Sequence, residues 1–140
     1  TAEGQTEERF FGSYVYSLIP VIGTVKAGYG ALAYEEDYGK EYARVKDPSS
    51  YFYLVVRGDS MEPRIHDGDL VAIRSQPEVE NGEIAAVRIG EEATLKHVYL
   101  HENFIELRPE NPAFSSIILS REDMNAVVIE GKAVGLCRDI

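Results

Sequence analysis

Two residues of this chain have types that could do covalent chemistry as a pair: Ser60 and, further along, Lys96. A serine hydroxyl is a weak nucleophile until a neighbouring base takes its proton, and that base can be a histidine or a neutral lysine amine. The segment Val56-Arg57-Gly58-Asp59-Ser60-Met61-Glu62-Pro63 sets Ser60 directly after an extended run and a Gly-Asp turn. There the side chain can point into a cleft, and the free backbone N–H groups of the turn could serve as an oxyanion hole. Gly-Asp-Ser alone is also an ordinary turn with a capping hydroxyl. In Ala93-Thr94-Leu95-Lys96-His97-Val98-Tyr99-Leu100, strand alternation puts Lys96 on the face of Val98 and Leu100. Burial on that face would lower the lysine pKa, as a general base requires. A free lysine is neutral about once in 2,500 molecules at pH 7, a handicap of roughly 4.6 kcal/mol. Shifts of about 3–5 units in apolar sites are large enough to remove it. A lysine at a sheet edge with its amine reaching water is the competing arrangement.

The elements that must position this pair are short and extended. Tyr51–Arg57, Asp69–Arg74, Glu83–Ile89, Thr94–Leu100, Phe104–Arg108, Ile117–Leu119 and Ala126–Leu136 are apolar-rich runs bounded by Gly, Pro, Asn or Asp. They predict a mostly β fold, a compact domain of short strands in small barrel-like sheets. The one modest helix candidate is Ser60–Ile65. Upstream, Thr1–Arg9 is polar and acidic, and Phe10–Val25 reads as short extended pieces broken by Gly12, Pro20 and Gly23. Lys26-Ala27-Gly28-Tyr29-Gly30 is small and flexible, and the acidic stretches after it look solvated, so the segment reads as mobile. The expected organisation is a tail or linker over 1–19, a further segment over 20–50 and a core over 51–140, together one structural domain from about residue 10 to 140.

Composition narrows the function. Of 140 residues, 14 are Lys or Arg and 24 are Asp or Glu, a formal charge of −10 that repels nucleic-acid phosphates. No stretch approaches the ~20 apolar residues of a membrane-spanning helix, and no basic-then-apolar leader precedes the strands, which predicts a soluble, cytoplasmic protein. The single cysteine, Cys137, cannot form an internal disulfide and reads as a small apolar residue. A first residue of Thr, not Met, suggests a fragment or processed chain. His66, His97 and His101 make a poor His-based triad. Glu62, Asp67 and Asp69 crowd one loop as solvated caps. No metal and no cofactor are expected.

The order Gly58-Asp59-Ser60-Met61-Glu62-Pro63, Asp67-Gly68-Asp69-Leu70-Val71, Gly82-Glu83-Ile84-Ala85-Ala86-Val87 and Thr94-Leu95-Lys96 resembles the self-cleaving serine-lysine peptidase domain of LexA, phage repressors and UmuD-type mutagenesis proteins. The similarity runs from about Pro20 to the end. It implies that Ser60 is the nucleophile, Lys96 its base, and the amides of Asp59 and Ser60 the oxyanion hole. It also implies that the chain cuts itself at a small-residue bond, here Ala27–Gly28 in Val25-Lys26-Ala27-Gly28, within the 20–50 segment. Small side chains suit a bond that must come within roughly 3–3.5 Å of Ser60 Oγ, although the same residues would also serve as a flexible linker. The resemblance further implies a homodimer, induction by a RecA-type filament acting as co-protease, and operator DNA binding through an N-terminal helix-turn-helix domain absent from this chain. Alternatives are a UmuD-like accessory of a lesion-bypass polymerase and a non-cleaving dimerisation module. Signal peptidase shares the serine box, but the residues after Lys96 lack its continuation.

Overall fold

The computed structural model describes residues 8–23, 25–26, 33–34 and 37–140. Its described residues are almost entirely strand and turn. β1 (Glu8–Phe11), β2 (Tyr14–Ile22), β3 (Val25–Lys26), β4 (Ala33–Tyr34) and β5 (Asp37–Ala43) precede a short 3-10 turn at Pro48–Ser50. β6 (Tyr51–Val55), β7 (Leu70–Ser75), β8 (Ile84–Ile89), β9 (Glu92–Leu100), β10 (Phe104–Arg108), β11 (Ile117–Ser120) and β12 (Val127–Cys137) follow, with a second 3-10 turn at Met124–Ala126. The mostly β expectation holds.

The larger sheet has ten strands in the order β1-β2-β6-β7-β12-β8-β9-β10-β11, with β5 added beside β2; β3 and β4 form a separate two-stranded pair. All pairings are antiparallel except β2 with β6, where Val21 faces Tyr53 and Ile22 faces Leu54. The last strand is the seam of the structure. β12 pairs with β7 on one side, with Lys132 opposite Arg74, and with β8 on the other, with Lys132 opposite Ala85. Its register shifts between Ile129 and Gly131 and again between Ala133 and Gly135, and such bulges bend a strand and increase its twist.

Alternation along β6 and β7 buries Phe52, Leu54, Val71 and Ile73 in one apolar cluster with Ile22, Met61, Ile65, Ala86 and Leu95. Full burial of each such aliphatic or aromatic side chain contributes about 1.5–3 kcal/mol. This cluster joins the two halves that carry Ser60 and Lys96. Met61, next to Ser60, is 2% exposed in it, and Leu95, next to Lys96, is 5% exposed.

Two local expectations are corrected. Residues 60–65 form turns instead of a helix, with hydrogen bonds from Glu62 N to Asp59 O and from Ile65 N to Met61 O. Pro63 explains this, because it lacks an N–H and keeps the residue before it out of the helical region. Residues 37–43, read as part of a solvated mobile stretch, form β5 and pair with β2 from Ser17–Ala43 to Ile22–Asp37. Of the β5 residues whose burial is described, Ala43 alone is buried, so the hydrophobic alternation that marks a strand is missing there.

Candidate functional site

The chain leaves β6 at Val55 and continues extended through Val56, whose N–H donates to Asp69 O at 2.9 Å while its own carbonyl accepts from Gly68 N at 2.8 Å. These bonds close the neck of a loop that presents Ser60. Gly58 turns the chain with φ of +89°, a conformation that side-chain-bearing residues resist. Its N–H is fixed by Asp67 Oδ1 at 2.7 Å. At the far side of the loop Asp69, 2% exposed, accepts from Arg138 Nε at 2.8 Å and Nη2 at 2.6 Å and from His66 N at 2.7 Å. The Arg138 bonds, and less strongly the one from His66, hold the Asp69 carboxyl below its ordinary pKa against the opposing effect of burial.

Lys96 reaches the loop from β9, where it sits opposite Ala85 of β8. Its Nζ lies 3.1 Å from Ser60 Oγ, 2.7 Å from Thr94 Oγ1 and 3.0 Å from Leu95 O. Lys96 is 7% exposed, and no carboxylate is among these partners. Burial therefore pushes its pKa below that of a free lysine. The expected alternation holds only in part: Lys96 and Val98 are buried, but Leu100 at the strand end is 56% exposed.

A cleft of about 410 Å³ opens over Ser60, with Gly23, Val56, Arg57, Glu92, Thr94 and Leu95 among its other walls. Gly23 follows β2, and β3, the next two-residue strand, packs beside β9. The chain just upstream of residue 27 thus runs along the strand that carries Lys96. Ala27 and Gly28 themselves lie outside the described residues. The amides of Asp59 and Ser60 donate to no acceptor among the described residues.

The remaining titratable residues of the region are engaged elsewhere. His97 places Nδ1 2.8 Å from Gly82 O and Nε2 2.7 Å from Glu110, and His66 lies 3.4 Å from Glu62. Among the described residues no group of three or more His, Cys, Asp or Glu side chains is arranged to hold a metal ion. Two contributors escaped the sequence reading. Thr94 stands two residues before Lys96, so strand alternation alone could have put it on the lysine's face. Asn111 donates from Nδ2 to Asp59 O and from its backbone N to Ser60 O, both at 3.0 Å; nothing in its local sequence signals this.

A serine hydroxyl held against a buried lysine amine is an arrangement able to carry out acyl transfer. A family model described as Peptidase S24-like matches residues 20–134, most of the chain. The chain belongs to this S24-like peptidase family. It is therefore a serine-peptidase-type domain, and the stretch shared with the family contains both Ser60 and Lys96. Among curated relatives it is similar to the LexA repressor of Desulforamulus reducens, 43% identical over 126 residues that cover 87% of this chain and 56% of that protein. The LexA repressor of Bordetella avium is 40% identical over 125 residues, covering 86% of this chain and 57% of that protein. That of Geotalea uraniireducens is 38% identical over 133 residues, covering 92% and 65%. The S24-like chain thus spans between about half and two thirds of the length of these relatives. No helix among the described residues is long and apolar enough to cross a membrane.

Proposed function

We propose that this chain is the self-cleaving C-terminal domain of a LexA-like or prophage repressor, with Ser60 as nucleophile, Lys96 as general base and Ala27–Gly28 as the bond cut. The observation that carries this reading is the 3.1 Å contact between Lys96 Nζ and Ser60 Oγ inside a site that disfavours the ammonium ion.

In the neutral state Lys96 accepts the Ser60 hydroxyl proton as Oγ attacks the Ala27 carbonyl carbon. The negative charge that develops on the carbonyl oxygen is met by the N–H groups of Asp59 and Ser60. Collapse of this intermediate breaks the Ala27–Gly28 bond; the Gly28 nitrogen leaves with the proton from Lys96, and Ala27 remains as an ester on Ser60. Water, deprotonated by the same amine, releases the ester and restores the hydroxyl. Thr94 Oγ1 and Leu95 O hold the amine in line throughout. Because the substrate is part of the chain, its effective concentration is high, and the rate follows docking of the cleavage segment and the neutral fraction of Lys96. The packing of β3 against β9, immediately before Ala27, supports delivery of that bond to the cleft.

A repressor of this kind works in the cytoplasm as a homodimer, and a RecA-type filament formed after DNA damage favours the docked conformation and so induces cleavage. Operator DNA is bound through an N-terminal domain, in keeping with the charge of −10 carried here. The similarity to LexA repressors supports each of these assignments.

The test is intact-mass spectrometry of the purified chain incubated from pH 7 to 10, beside Ser60→Ala and Lys96→Ala. Two fragments meeting at Ala27 and Gly28 are expected, absent from both variants. Their rate should rise about tenfold per pH unit until Lys96 is mostly neutral and then level off. Cleavage that persists in either variant, or a junction elsewhere, refutes the assignment.

A further inference from the structure

Asn111 touches the loop of Ser60 at the carbonyls of Asp59 and of Ser60 itself. It lies in the Pro109-Glu110-Asn111-Pro112 turn after β10, far from Ser60 in sequence. Its Nδ2 donates to Asp59 O at 3.0 Å, and its backbone N donates to Ser60 O at 3.0 Å. Its Oδ1 accepts from Ala113 N at 2.9 Å, and its carbonyl accepts from Phe114 N at 3.1 Å. The orientation of the side-chain amide is determined by its partners. The Ala113 N–H can only donate and so requires Oδ1, while the Asp59 carbonyl can only accept and so requires Nδ2.

A trans peptide points its C=O and N–H in opposite directions, and among the described residues the only cis bond is Glu62–Pro63. Holding Asp59 O, which also accepts from Glu62 N at 3.1 Å, therefore helps fix the direction of the Ser60 N–H at the opposite edge of the same plane. That N–H meets no acceptor among the described residues, which leaves it available to an oxyanion. A donor to the carbonyl also polarises the peptide and strengthens the N–H at its other end.

We infer that Asn111 is a positioning residue for the oxyanion hole: its side-chain amide aims and polarises the Asp59–Ser60 peptide while Lys96 independently prepares the hydroxyl. The inference rests on the self-cleavage reading for its role, but its test does not rely on cleavage alone. Removing an oxyanion donor outright costs about 10²–10³ in rate; loosening one through its carbonyl partner should cost less, about 10- to 100-fold.

The experiment compares wild type, Asn111→Ala and Asn111→Asp as full chains. Asn111→Asp keeps an oxygen for Ala113 N, and so the turn, but cannot donate to Asp59 O. Two rates are read: self-cleavage from pH 7 to 10, and labelling of Ser60 by diisopropyl fluorophosphate, whose phosphoryl oxygen needs the same N–H groups. Thermal midpoints are recorded alongside. Both variants should lose about 10- to 100-fold in labelling and in cleavage at every pH, with the pH at half-maximal cleavage unmoved and Asn111→Asp still folded. Labelling by Asn111→Asp within twofold of wild type overturns the inference, as does a loss that appears only as a shift of the pH midpoint, which would place Asn111 on the Lys96 side. A wild type that labels at Ser60 but never cleaves sinks the self-cleavage reading and leaves the labelling comparison to decide Asn111. A wild type that neither labels nor cleaves overturns both.

Discussion

The seam strand offers a sharp test at Gly131. A Cβ added there would stand 2.2 Å from Arg74 O, 2.6 Å from Ile73 Cγ2 and 2.9 Å from Arg74 C. The nearest of these is backbone of β7, and Ile73 is fully buried, so neither can swing aside. Restoring an ordinary carbon–oxygen contact requires β12 and β7 to separate by about 1 Å, against a strand spacing of about 4.8 Å. The pairs Gly131–Ser75 and Lys132–Arg74 lie at that point. Losing one or two ladder bonds at about 0.5–1.5 kcal/mol each, plus overpacking of about 1–3 kcal/mol, gives a destabilisation of about 2–5 kcal/mol for Gly131→Ala. That is a large fraction of the roughly 5–15 kcal/mol by which such a domain is stable. Gly135→Ala, in the same strand with nothing within 4 Å of its added Cβ, is the control and should change stability by less than about 1 kcal/mol. Urea unfolding followed by tyrosine fluorescence reads both, since the chain has nine Tyr and no Trp. A Gly131→Ala loss below about 1 kcal/mol, or one no larger than that of Gly135→Ala, would refute the packing argument.

Two further outcomes concern ionisation. Lys96 binds its proton less tightly folded than unfolded, so between its folded pKa and the free-lysine range the unfolded chain carries the extra proton and wild-type stability rises with pH. In a Ser60→Ala background, where nothing is cut, urea midpoints of Lys96 and Lys96→Met chains should therefore diverge in favour of lysine from pH 7 to 10; a constant difference would contradict its burial. The Arg108 guanidinium, with Nε at 2.9 Å and Nη2 at 3.0 Å, and the Ser116 hydroxyl hold the Glu106 carboxyl at about 2. Carboxyl carbon NMR should show it titrating there and moving up in Arg108→Met; the stability advantage of Arg108, present above the usual glutamate range, should vanish as pH falls through about 2.

Much of this was legible because strands announce themselves by composition. Phe104–Arg108 is read to the residue, and the runs of β6 to β9 and β12 are found within a few positions, since each has at least one face in the core. The edge strand β5 hides because Ala43 alone of its residues whose burial is described enters the core, while Lys40 and Glu41 are exposed. Ser60 and Lys96 were each readable from a turn and from a strand, but their meeting depends on β8 and β9 folding back under the loop, a long-range fact that no local pattern encodes. Asn111 shows the same limit. Its contacts are with backbone carbonyls, and any chain can supply those, so neither partner's side chain marks the site.

The place of β12 in the sheet also orders events at the ribosome. Ser60 and Lys96 both emerge before residues 127–137, yet the strands that carry their two halves, β7 and β8, are joined in one ladder only by β12 between them. On the self-cleavage reading, a nascent chain holds the bond to be cut and both reactive groups before the strand that joins β7 to β8 has been made. The order of the strands along the chain, on that proposed reading, delays the cut until β12 has been made.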